Sequence, residues 1–137
     1  MIMPRTPPTI ALINSNEDTT EMLRICFQQA GFPSVVVAHV PEIKRGETDF
    51  GRFLDHHDPR VIVWDIMIPY DENWAFAQRM IGTDRMKGRA VVLTTTNQRA
   101  LESIVGPTST QEIIGKPYDI ERVVESVRQA VAALEET

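Results

Sequence analysis

Val61-Ile-Val-Trp-Asp-Ile-Met-Ile-Pro69 decides how this chain folds. Four apolar residues lead straight into one acid, Asp65, and Pro69 follows four positions later. An unbroken apolar run suits a strand covered on both faces of a parallel sheet. Pro69 has no N–H to offer a ladder and belongs in a loop. With the strand read as Arg60 to Trp64, Asp65 is expected at its carboxyl end, where open α/β sheets gather ligands and chemistry.

Working outward, four more short apolar runs read as strands: Thr9 to Ile13, Ser34 to His39, Arg89 to Leu93 and, more weakly, Gln111 to Gly115. Between them the apolar residues fall at helical spacing. Met22, Leu23, Ile25, Cys26 and Ala30 predict a helix that Gly31 stops. Pro41 suits a helix start, but Gly46 and Gly51 interrupt the segment 41–58, which predicts a loop followed by a helix near 48–57. Trp74 to Ile81 and Asn97 to Val105 give two more helices. Asp119 caps a last one, whose apolar face runs from Ile120 through Val123, Val124 and Val127 to Leu134. Five strands alternating with five helices and right-handed crossovers predict an α/β, flavodoxin-like (βα)5 three-layer sandwich. Its five-stranded parallel sheet would run in the order 2-1-3-4-5.

The bulk numbers agree with one ordinary domain. The chain has 137 residues, 42% of them hydrophobic and 24% charged, with a net charge of −5. Basic residues are scattered, which argues against direct nucleic-acid binding. One cysteine, Cys26, rules out an internal disulfide and reads as a core residue of its helix. A cytoplasmic setting is expected, with no signal peptide and no membrane contact. Residues 1–8, with three prolines, read as a flexible N-terminal arm, and 9–137 as a single domain without an output domain. His56 and His57, adjacent on one helix, cannot both face one ion, and His39 reads as structural or solvated.

In the 2-1-3-4-5 order, one sheet edge gathers Asn14 and Ser15, Asp65, Thr94 and Lys116. A carboxylate can act as a nucleophile toward a phosphoryl group. That attack needs positive charge and hydrogen-bond donors around the phosphoryl oxygens, and a lysine and a hydroxyl supply them. The same residues also permit a plain alternative, in which Lys116 pairs with Asp65 and Thr94 merely ends a strand.

From residue 9 to 135 the chain resembles the receiver domain of two-component response regulators. The resemblance rests on the apolar strand ending in Asp65 with Pro69 beyond it, the strand-end Thr94, and Lys116-Pro117 followed by Tyr118. Positions 65, 94 and 116 are separated by 29 and 22 residues, close to the receiver spacing. The resemblance implies that Asp65 is a phosphoacceptor served by a histidine kinase or phosphotransfer protein. It implies that Thr94 and Lys116 contact the phosphoryl group, and that the Lys116–Pro117 bond is of a kind commonly cis in the family. It implies no enzyme activity, and output through a protein partner or self-association. The contact face would be the fourth helix (97–105), the fifth strand and the last helix.

The departures are as informative. Receivers carry an acidic pair after the first strand, and the positions here are Asn14 and Ser15. Magnesium takes hard oxygens, usually from one or two carboxylates. Asp65 and the backbone carbonyl of Met67 would be the remaining ligands, and weak magnesium binding is predicted. Glu17 and Asp18 could replace the pair but fit better in the first turn of a helix. Loop 70–74 lacks the usual glycine and adds Asp71 and Glu72. Ile113 stands where receivers often carry a switching aromatic. Two functions follow: a receiver phosphorylated on Asp65, or a phosphorylation-independent pseudo-receiver that acts as an interaction module. A small-molecule-binding or enzymatic domain on the same fold is disfavoured. Asn14-Ser-Asn-Glu-Asp has no glycine to wrap a flavin phosphate, and no second acid follows Asp65 closely.

Overall fold

A computed structural model describes residues 6–106, 112–115 and 120–135. The elements are β1 (Ile10–Asn14), α1 (Glu17–Gln29), β2 (Val35–His39), α2 (Val40–Lys44), α3 (Phe50–His57), β3 (Val61–Ile66), α4 (Tyr70–Ile81), a 3-10 turn (Asp84–Met86), β4 (Ala90–Thr95), α5 (Gln98–Val105), β5 (Glu112–Gly115) and α6 (Ile120–Glu135). All strand pairs are parallel and the sheet order is β2-β1-β3-β4-β5, as expected.

Alternation along the strands builds two cores. Ile62, Trp64 and Ile66 face one way and pack with Val40 and Ile43 of α2, Phe50 and Leu54 of α3, Trp74 of α4 and Leu101 of α5. Val61 and Val63 face the other way and pack with Leu23 and Phe27 of α1 and Val123 and Val127 of α6. Successive strand residues point to opposite faces, so β3 is apolar at every position but Asp65 because both faces are covered. Asp65 extends the Val61–Val63 series beyond the last apolar layer.

Two expectations need correction. The strand through Asp65 does not stop at Trp64. It continues to Ile66, because the ladder with β4 runs on through Asp65↔Thr94 and Ile66↔Thr95. The segment 41–58 holds two helices, α2 and α3, so the described residues contain six. α2 forms where a loop was expected because Pro41 sits in its first turn and Val40 and Ile43 are buried anchors. Its end is tied down by the Glu42 carbonyl, which accepts from the N–H groups of Glu47 (2.9 Å) and Thr48 (3.1 Å). Gly46 makes that turn at a φ of 77°. Asp49 then caps α3, its carboxylate accepting from Arg52 N–H at 3.1 Å.

Candidate functional site

Asp65 and Thr94 are brought together by the register of β3 and β4. Thr94 Oγ1 donates to Asp65 Oδ1 at 2.6 Å, with the hydroxyl fully buried and the aspartate 3% exposed. A short bond from a hydroxyl to a buried carboxylate is a charge-assisted one. The third expected member, Lys116, lies outside the described residues, as do Pro117, Tyr118, the capping Asp119 and residues 1–5 of the arm.

Asn14 ends β1 and is buried. Its Oδ1 accepts from the backbone N–H of Ser15 at 2.7 Å and of Asn16 at 2.9 Å. The carboxamide therefore caps the turn into α1, and Asn16 caps the helix itself by accepting from Thr19 N–H. Ser15 is exposed and lines a cavity of about 300 Å³ beside Asp65. The other lining residues include Lys44, Trp64, Met67 and Asn73.

These donors do not fit a divalent cation. Among the described residues no three His, Cys, Asp or Glu side chains gather in a metal-binding group. Asp65 is the only carboxylate residue lining this cavity among the described residues. The Asn14 oxygen is spent on two backbone amides, and the Met67 carbonyl accepts from Asn73 Nδ2 at 2.8 Å. Glu17 and Asp18 line a separate cleft with Arg24 and His39. Asp71 and Glu72 sit exposed in the first turn of α4, outside the cavity lining.

Lys44 and Asn73 are the residues that sequence reasoning missed. Lys44 Nζ donates to Asn73 Oδ1 and lies 5.4 Å from the centroid of the Phe76 ring. Asn73 lies in the stretch 70–74, whose sequence departs from the receiver pattern, and that departure was the one available signal. Tyr70 was missed too: its hydroxyl pairs with that of Thr96, joining the start of α4 to the β4–α5 loop. Ile113 is half-buried and packs against the core that contains Trp64. His56 and His57 stack on each other edge-on, 4.6 Å apart, away from this cavity. Burial, and secondarily the charge of His56, holds the His57 imidazole below its ordinary value.

Comparison with solved structures decides the fold. The signal receiver domain of a signal transduction histidine kinase from Syntrophus aciditrophicus superposes with a TM-score of 0.71 at 18% identity, over 95% of this chain and 94% of that one. The N-terminal signal receiver domain of a two-component system response regulator from Bacteroides fragilis gives 0.68 at 16% identity, over 90% and 96%. This chain has the fold of a response-regulator receiver domain. Among curated proteins, Response regulator Rre1 of Synechocystis sp. is 23% identical over 127 residues, which span 92% of this chain. The chain spans about half the length of that relative, 52%. No family model matches. Within the receiver fold, the Asp65–Thr94 pair stands at the carboxyl ends of adjacent central strands, and the cavity opens beside it. Among the described residues no helix is long and apolar enough to cross a membrane.

Proposed function

We propose that this domain is a receiver in phosphorelay signalling, with Asp65 accepting a phosphoryl group from a histidine kinase or phosphotransfer protein. The observation that carries this reading is the buried Asp65 carboxylate, held by the Thr94 hydroxyl at 2.6 Å beside an open cavity. A carboxylate oxygen of Asp65 attacks phosphorus in line with the phosphohistidine P–N bond. That bond breaks, the imidazole leaves with the electron pair, and the phosphoryl group stays on Asp65. The Thr94 hydroxyl, which serves the carboxylate at rest, then donates to a phosphoryl oxygen. Lys116 is the sequence's candidate for a second contact. Output passes to a protein partner through the face of α5, β5 and α6, where Ile104 is an exposed apolar side chain.

Incubation with acetyl phosphate followed by intact mass measurement tests this. One phosphoryl group per chain is expected, and Asp65→Asn abolishes it. Labelling that survives Asp65→Asn overturns the assignment.

One observation favours a second reading, a pseudo-receiver that signals by binding alone. Asn14 holds the turn with its carboxamide where receivers place an acid. Under that reading acetyl phosphate labels neither the native chain nor the Asp65→Asn variant.

A further inference from the structure

The lining of the cavity beside Asp65 includes one residue with a cationic side chain, Lys44. Lys44 is the last residue of α2, a helix anchored by the buried Val40 and Ile43. Its ammonium donates to Asn73 Oδ1 of α4, and Asn73 Nδ2 donates in turn to the Met67 carbonyl just after β3. The Phe76 ring lies 5.4 Å from Nζ and favours a cation there. An ammonium group has three N–H donors, and Asn73 takes one. Lys44, Ser15, Met67, Asn73 and Asp65 all line the same cavity.

We infer that this cavity is a metal-independent phosphoryl site, in which Lys44 supplies the positive charge that a divalent ion supplies in receivers with an intact acidic pair. The inference rests on Asp65 being the phosphoacceptor. An acyl phosphate dianion approaching a carboxylate meets like charge, and catalysis of phosphoryl transfer is largely the neutralising of that charge. Asn73 holds the Lys44 ammonium in the cavity, and Ser15 adds a hydroxyl donor. With acetyl phosphate the step balances without a proton. An Asp65 oxygen bonds to phosphorus, the bond from phosphorus to the acetyl oxygen breaks, and acetate leaves with the electron pair. The fixed ammonium also repels a divalent ion from the same space, which agrees with the donor set described above.

The test is the rate of Asp65 labelling by acetyl phosphate, followed by intact mass in EDTA and in magnesium. It uses the native chain and Lys44→Ala, Lys44→Arg and Asp65→Asn variants. The native rate is expected to be the same in both media. Lys44→Ala lowers it by about tenfold, while Lys44→Arg, which keeps the charge, retains most of it. Lys44 is exposed, so its variants fold, and a thermal melt checks that they do. Native labelling that requires magnesium overturns the role of Lys44 and leaves Asp65 as the acceptor. So does an unchanged rate in Lys44→Ala. An absence of labelling in both media overturns the phosphoacceptor reading and this inference with it.

Discussion

Thr94 donates its hydroxyl to Asp65 across 2.6 Å between two adjacent parallel strands, and both side chains are buried. The carboxylate and the hydroxyl are thus in contact in the resting domain. Under the proposed function, a phosphoryl group on Asp65 would have to draw the Thr94 hydroxyl away from the carboxylate or share it.

Thr94→Val keeps the volume and removes the donor. Loss of a buried hydrogen bond to a charged group costs about 1–3 kcal/mol. Urea denaturation is expected to show a loss of that size for Thr94→Val and a much smaller one for Thr94→Ser. An undiminished stability in Thr94→Val would mean that the hydroxyl contributes nothing.

Acids placed at positions 14 and 15 are expected to raise the magnesium affinity of the chain. In Asn14→Asp the carboxylate can still accept from the amides of Ser15 and Asn16, so the turn survives. Titration followed by Trp64 fluorescence reports binding, since the buried Trp64 lines the cavity. The Asn14→Asp, Ser15→Asp double variant should bind at least about tenfold more tightly, as each added carboxylate is a hard ligand. Tight binding by the native chain would contradict the donor set found here.

Tyr70→Phe removes the bond to Thr96 and leaves the ring in place. Tyr70 is half-buried and Thr96 exposed, so the stability cost is expected to stay below about 1 kcal/mol. Amide hydrogen exchange in the β4–α5 loop and the first turn of α5 should quicken, with little change in β1 or α1. Uniform exchange across the domain would show that the hydroxyl pair does not hold that loop.

His57 gives a sign for pH dependence. Its folded value lies below its ordinary 6.5, first through burial and then through His56. The folded protein favours the neutral ring, so the unfolded chain binds more protons as pH falls. Stability from this group is fully present above about pH 6.5 and is lost as pH drops through the lower, folded value. His57→Gln is expected to flatten the stability curve over that range, measured by urea midpoints from pH 8 to 5. A curve unchanged by the substitution would assign the acid sensitivity to other groups.

The fold was legible because it is written in short-range patterns. The run Val61 to Trp64 could only be a strand covered on both faces, and the strand and helix order then left few topologies. Asp65 was legible as the acid that ends this run, and Thr94 as its neighbour once β3 and β4 were paired. Lys44 was not legible. Its sequence neighbours say helix end, but its place in the cavity follows from how α2 packs on the sheet and from a hydrogen bond to a residue 29 positions away. Asn73 was hidden for the same reason. The short α2 was obscured by Gly46, which marks the turn after that helix and not its absence.

The two-sided packing of β3 has a consequence for how the chain tolerates change. Side chains alternate with a period of two, so a slip of one residue would exchange the two cores and carry Asp65 to the wrong layer. Trp64 fits only the layer that holds Phe50, whose ring meets it edge-on at 5.4 Å. The bulk of one tryptophan thereby acts as a spelling check on the aspartate beside it. Substitutions that shrink Trp64 would relax that check and also open the wall of the cavity it lines.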